Sequence, residues 1–180
     1  KYEEAVSYCT KALNIRLKAL GTDHRSVGTT YNNRALGYKS QGKKEEALSY
    51  YSKALDIGLK ALGSDHPDVG TTYNNMANVY MYQGKYEEAL SYCTKALEIL
   101  LKALGTDHPS VGTTYNNKAH VYNSQGNKEE ALSYYRKAVD RARQALGHDL
   151  NDVCPPYINN KNIYTIHGTN KDTHSSSTTL

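Results

Sequence analysis

The sequence predicts an all-α protein built as a solenoid of antiparallel helix pairs. The motif Lys-Tyr-Glu-Glu-Ala-Val at residue 1 recurs in closely related form at residues 43, 85 and 127, so the period is 42 residues without a slip. Between residues 43–84 and 85–126, 31 of 42 positions are identical, which indicates duplication. Each period contains two segments with helical spacing of apolar residues. Because one helix pair cannot bury its apolar stripes alone, successive repeats are expected to stack.

The two segments of a repeat are predicted to pack as an antiparallel pair. In residues 71–83, Tyr73, Ala77 and Tyr80 fall at positions i, i+4 and i+7 on a single stripe. Residues 86–104 carry a second stripe, which comprises Ala89, Leu90, Cys93, Ala96, Leu97 and Leu101. The small alanines allow two helix axes to approach closely, while tyrosines and leucines fill the space around them.

Helix ends are indicated by glycines and by an Asp-His-Pro motif. Gly84 and Gly105 follow the two segments and can adopt the positive φ that ends a helix. Pro109, after Asp107-His108, suits a first helical turn, where its missing N–H is not needed. We therefore expect helices over residues 2–20, 27–41, 44–62, 69–83, 86–104, 111–125 and 128–146.

The array is predicted to occupy residues 1–147, as a half repeat over 1–27 and repeats near 28–69, 70–111 and 112–147. In residues 148–180 the repeat begins again and then degenerates, since Pro155-Pro156 stand where the preceding repeat has two threonines. The last residues are polar and are expected to be disordered. The chain is interpreted as truncated at both ends, and its uncapped C-terminal helix suggests weak self-association.

Composition and charge exclude several classes of function. The formal charge is +4, and the part before His148 carries +5, which is too little to indicate a nucleic-acid binder. No apolar run approaches the roughly 18 residues that a membrane span needs. An odd count of three cysteines favours a reducing compartment, so a cytoplasmic location is expected.

No catalytic, cofactor or metal site is predicted. The Asp-His pairs at Asp23, Asp65 and Asp107 recur once per repeat, so neighbouring pairs lie on the order of 10 Å apart in stacked helices, well beyond the ~2 Å of metal–ligand bonds. A role in a loop or helix cap is favoured for them. Cys9 and Cys93 align with tyrosines on the apolar stripe and are interpreted as buried hydrophobes.

The repeated residues resemble the tetratricopeptide consensus, which Tyr73, Ala77, Tyr80, Gly84, Tyr86, Ala89, Cys93 and Ala96 carry in this sequence. The 42-residue length and the phrase running from Leu62 to Val69 resemble the kinesin-light-chain subgroup, over residues 1 to about 147. The resemblance implies a right-handed superhelix whose first helices line a concave groove. It also implies a scaffold or cargo adaptor that binds an extended peptide of a partner protein. A structural spacer, a self-associating scaffold and the docking arm of a larger enzyme are the alternatives.

Asparagine pairs recur at one place in the first helix of each repeat: Asn32-Asn33, Asn74-Asn75 and Asn116-Asn117. Asparagine is a mediocre helix former, so paired asparagines in mid-helix cost stability unless their amides are used. An amide offers both donors and an acceptor, which suits it to bind a peptide backbone. In the alternative, one amide of each pair bonds to a neighbouring helix and fixes the contact between repeats.

Positions that differ between the copies cluster on one face of the first helix, which is therefore expected to be exposed or to contact a ligand. They are Leu36, Asn78 and His120; Lys39, Met81 and Asn123; and Ser40, Tyr82 and Ser124. We expect Met81, Tyr82 and His120 to select ligand side chains, with Lys118 near His120 favouring an acidic neighbour. Neutral drift on an exposed surface is the alternative.

Overall fold

The computed structural model describes residues 2–146 and consists there of seven α-helices without a strand. The helices are α1 (Tyr2–Leu20), α2 (Arg25–Ser40), α3 (Lys44–Leu62), α4 (Pro67–Tyr82), α5 (Tyr86–Leu104), α6 (Pro109–Ser124) and α7 (Lys128–Leu146). None of these helices has the combination of length and apolar character that a membrane span requires. The predictions for residues 148–180 lie outside the described residues.

Helices pack in pairs, and the pairs stack. We call α2, α4 and α6 the first helices and α1, α3, α5 and α7 the second helices. Each first helix packs most extensively on the second helix that follows it, and each also contacts the second helix before it. Neighbouring first helices contact one another, whereas in residues 2–146 no two second helices make contact as extensive as this. The array therefore curves with the first helices on its inner side, as expected for the all-α solenoid.

The second helices have the predicted bounds, but the first helices begin two residues earlier and end one residue earlier than predicted. The reason for the early start is a histidine cap. Nδ1 of His66 accepts a hydrogen bond from the backbone N–H of Asp68 at 3.1 Å, and Pro67 occupies the first helical position. His24 and His108 cap α2 and α6 in the same way. The Asp-His motif therefore contains a helix cap, the role favoured from the sequence.

Glycines end both kinds of helix, as predicted. Gly84 has a φ of 75° after α4, and Gly105 has a φ of 78° after α5. At the first of these ends, the N–H of Lys85 donates to the carbonyl oxygen of Tyr80 at 3.0 Å, which pairs an otherwise unused helix carbonyl.

The core is a thin layer of small apolar side chains between the helices. Ala35, Ala77 and Ala119 are buried at equivalent places in the three first helices. In α5 the buried stripe passes through Leu100, which is 1% exposed, whereas Leu101, placed on the stripe by the sequence, is half-buried. Leu100 packs in one apolar cluster with Val111 of α6, so it joins one repeat to the next.

Candidate peptide-binding face

One face of each first helix is turned away from the second helices, and we call the three together the inner face. Its positions are spaced i, i+4, i+7 and i+11, and all of them are exposed or half-exposed. They are Thr29, Asn33, Leu36 and Ser40 in α2; Thr71, Asn75, Asn78 and Tyr82 in α4; and Thr113, Asn117, His120 and Ser124 in α6. The side-by-side contact of the first helices makes these positions one continuous surface.

The variable positions predicted to contact a ligand lie on the inner face or at its edge. Tyr82 is 59% exposed and Leu36 is 44% exposed. His120 and Asn123 are also exposed, and Asn78, Met81 and Lys39 are half-buried. Partial burial lowers the pKa of Lys39 below its ordinary value. Exposure shows that these side chains are available to a ligand, and their role in binding stays a prediction.

The asparagine pairs form hydrogen bonds between repeats. The amide of Asn75 donates to Oδ1 of Asn32 at 3.3 Å, and the amide of Asn117 donates to Oδ1 of Asn74 at 3.0 Å. In each bond the second asparagine of one pair donates to the first asparagine of the preceding pair. This arrangement is the alternative weighed from the sequence, in which an amide fixes the contact between first helices.

The bonded amides still have unused hydrogen-bonding capacity toward the inner face. Asn75 and Asn117 each donate through one N–H of the amide group and keep the carbonyl oxygen for another partner. Asn33 is exposed, Asn116 is half-buried, and Asn74 is only 8% exposed. Asn33, Asn75 and Asn117 therefore present amide groups on the inner face, whereas the Asn74 amide oxygen accepts a hydrogen bond from the next first helix, and backbone binding by these amides stays a prediction.

His120 and Lys118 contact different neighbours in the structure, and the expectation that they act together on a ligand stays a prediction. Nζ of Lys118 donates to Oγ1 of Thr94 at 3.0 Å and lies 5.0 Å from the centre of the Tyr134 ring. His120 instead packs edge-on against Tyr135, with 3.2 Å between Nδ1 and the hydroxyl oxygen. Positions two residues apart in a helix do not share a face, which separates the two side chains. Partial burial lowers the pKa of His120 below its ordinary value of 6.5.

In each repeat a tyrosine of the first helix stacks on a tyrosine of the second helix that follows it. The apolar stripes alone did not predict this contact. Tyr80 of α4 stacks on Tyr92 of α5 with ring centres 5.1 Å apart, and Nζ of Lys95 lies 5.5 Å from the Tyr92 ring. Equivalent stacks join Tyr38 to Tyr50 and Tyr122 to Tyr134. The signal was present in the sequence as a tyrosine followed three residues later by a lysine in each second helix, one turn apart.

The side chains needed for a metal site are not brought together in residues 2–146. That part of the chain contains no group of three or more His, Cys, Asp or Glu side chains able to hold a metal ion. Cys93 is fully buried, and burial raises the pKa of its thiol to about 12, so it is not a nucleophile at neutral pH. Cys9 is half-buried.

Comparison with known proteins assigns the family. The sequence model of the tetratricopeptide repeat matches residues 1–60, 29–80 and 68–144, which is most of the chain. The chain belongs to the tetratricopeptide repeat family. Tetratricopeptide repeats form an interaction module without catalytic machinery of its own, and they bind protein partners. No curated protein has a significant sequence match to this chain.

Solved structures of similar fold place this tetratricopeptide array in the kinesin-light-chain-like subgroup. A kinesin light chain-like protein from Podosopora anserina with nearly identical TPR-like repeats is 25% identical, with a TM-score of 0.66 over 82% of this chain and 70% of that one. A single-substitution variant of that protein is 26% identical, with a TM-score of 0.67 over 81% and 69%. BtubC (BKLC) from P. vanneervenii has the same fold at 24% identity, with a TM-score of 0.72. That match includes 86% of this chain but only 61% of BtubC, less than two thirds of its length.

Proposed function

We propose that this tetratricopeptide array is a scaffold or adaptor that binds an extended peptide segment of a partner protein along the inner face. The observation that carries the proposal is the exposure of large side chains there, with Tyr82 59% and Leu36 44% exposed beside amides that keep unused acceptors. Aromatic side chains supply much of the binding energy of protein interfaces, and amides bind a peptide backbone without selecting its sequence. A cytoplasmic location fits the buried free thiol of Cys93.

Two groups of residues are expected to contribute to binding, one by contacting the peptide backbone and the other by contacting peptide side chains. The amides of Asn33, Asn75 and Asn117 bind the peptide backbone, and each contributes on the order of 1 kcal/mol whatever the peptide sequence. Tyr82 and Met81, on α4, contact side chains and favour an apolar or aromatic residue. His120 on α6 contributes a polar contact at the far end of the face. The amino group of Lys118 contacts Thr94 of α5 and the Tyr134 ring of α7.

The experiment is a selection of displayed random peptides on the full 180-residue chain, followed by affinity measurement with substituted chains. Tyr82→Ala removes an exposed ring on the inner face and is expected to weaken the selected peptides about tenfold or more. Tyr8→Ala is the matched control, because Tyr8 is 71% exposed but belongs to a second helix. Equal affinity of both variants and of the unsubstituted chain would contradict the proposal, and loss through Tyr8 alone would place the site elsewhere.

A further inference from the structure

A hollow of about 300 Å³ opens between the first helices α2 and α4. Its rim includes the exposed Thr29 of α2 and Thr71 of α4, which belong to the inner face. Its deeper wall includes the buried Ala54 and the half-buried Gly58 of α3. The hollow is therefore a side pocket of the inner face, with the second helix α3 behind it.

The hollow lies beside Gly58, a position where the next repeat has a larger side chain. Of the ten residues that line it, seven are identical 42 positions later, and the counterpart of Gly58 is Leu100. The Leu100 side chain is 1% exposed and lies against Gly70, where an added Cβ would be only 3.0 Å from its Cγ. Gly28, the counterpart of Gly70, lines the hollow. Between α4 and α6, the Leu100 side chain thus occupies the space that is open between α2 and α4.

The rim of the hollow also differs from the equivalent place between α4 and α6. Here the rim carries one positive and one negative side chain. Arg25 and Asp68 form an ion pair across the hollow, with 3.6 Å between Nη2 and Oδ2. Their counterparts 42 residues later are Pro67 and Ser110, which cannot form such a pair. Because the two charges neutralise each other, the rim presents no net charge to a ligand.

We propose that this hollow binds one leucine-sized apolar side chain of the peptide carried along the inner face. The inference rests on the proposed function, and it names the anchor residue of the ligand. With a volume of about 300 Å³ the hollow has room for a Leu, Met or Phe side chain, which would contact Ala54 and Gly58 on the deeper wall. A leucine side chain suits a space of this shape, because Leu100 fills the equivalent space between α4 and α6. Asn32 and Thr29 also line the hollow.

The first test asks whether the hollow takes an apolar group, with toluene as the probe. Methyl NMR spectra of the full chain are recorded with toluene for the unsubstituted protein and for Gly58→Leu, which reproduces the arrangement at Leu100. Shifts of the Ala54 and Leu62 methyl signals in the unsubstituted protein, absent in Gly58→Leu, support the proposal. Shifts that persist in Gly58→Leu, or that occur only elsewhere, overturn it. An unchanged circular dichroism spectrum and melting temperature show that Gly58→Leu folds normally.

The second test asks whether the hollow anchors a peptide. Peptides selected on the full chain are scanned with Leu, Phe, Ser and Arg at each position. One position is expected to prefer Leu or Phe over Ser and Arg by roughly tenfold, and Gly58→Leu is expected to abolish that preference. Should Tyr82→Ala weaken binding while Gly58→Leu does not, the hollow is not the anchor and the proposed function stands. If no peptide is selected, both fail, and a preference for Arg would overturn the apolar assignment.

Discussion

The side-chain amide of Asn117 donates a hydrogen bond to Oδ1 of Asn74, 3.0 Å away, across the boundary between two repeats. Asn75 makes the equivalent bond to Asn32 at 3.3 Å. Helix backbones satisfy their own hydrogen bonds internally, so they cannot join one first helix to the next. Together with apolar contacts such as that between Leu100 and Val111, the asparagine pairs therefore contribute to the relative position of neighbouring repeats.

Loss of one inter-repeat amide bond is expected to destabilise the array measurably. Asn75→Ala removes the donor to Asn32, whereas Asn33→Ala removes an exposed amide for which the described residues contain no partner. Both substitutions gain the same helix propensity. The free energy of unfolding of Asn75→Ala should therefore lie about 1 kcal/mol below that of Asn33→Ala in urea titrations followed by circular dichroism. Equal values would show that the bond between repeats adds nothing.

Two equivalent glycines should respond oppositely to alanine. A Cβ on Gly70 would lie 3.0 Å from Cγ of the buried Leu100, whereas a Cβ on Gly112 would meet its nearest neighbours at 3.6 Å. Gly112→Ala is expected to raise the free energy of unfolding by roughly 0.5–1 kcal/mol through helix propensity. Gly70→Ala should lower it, because overpacking costs about 1–3 kcal/mol. Thermal melts of both variants test this, and stabilisation by Gly70→Ala would mean that Leu100 moves aside.

A buried tyrosine hydroxyl can be given a partner. Tyr51 is fully buried and its hydroxyl has no hydrogen-bond partner in the described part of the chain, whereas the equivalent Tyr135 hydroxyl meets His120. The residue that corresponds to His120 is Leu36. Leu36→His is therefore expected to raise the free energy of unfolding by about 1 kcal/mol. The gain should vanish in a Tyr51→Phe background, and a gain of equal size there would rule out the hydroxyl as its cause.

Acidification should weaken the fold through His120. Its pKa is lowered in the folded state, so below the ordinary value of 6.5 the unfolded chain takes up the proton first. Its contribution to stability is complete above pH 6.5 and falls as the pH drops toward the lowered pKa. His120→Asn, which copies Asn78, removes this dependence. The unfolding free energy of the unsubstituted chain should therefore fall relative to that of His120→Asn as the pH is lowered through 6.5, and NMR titration should place the His120 midpoint below 6.5. A midpoint above that value would reverse the expected sign.

The helices and their order were predictable from the sequence, because they depend on local features that recur every 42 residues. Apolar spacing and helix-ending glycines located the second helices at their observed bounds. The first helices were misplaced by one or two residues, because the sequence pattern did not reveal which residue before Pro67 would cap the helix. His66 takes that position through a side-chain hydrogen bond that depends on the backbone conformation around it.

The sequence by itself determined that this protein is a stacked array of helix pairs with a variable face on its first helices, since periodicity and the differences between copies are both written in the chain. Only the tertiary structure decided how individual side chains are used. In the folded chain Asn74 accepts a hydrogen bond from Asn117, and Lys118 contacts Thr94 and not His120. A hollow also lies beside Gly58. Each of these outcomes depends on atoms from different helices meeting within a few ångströms. Sequence spacing constrains such distances within one helix, but packing constrains them between helices.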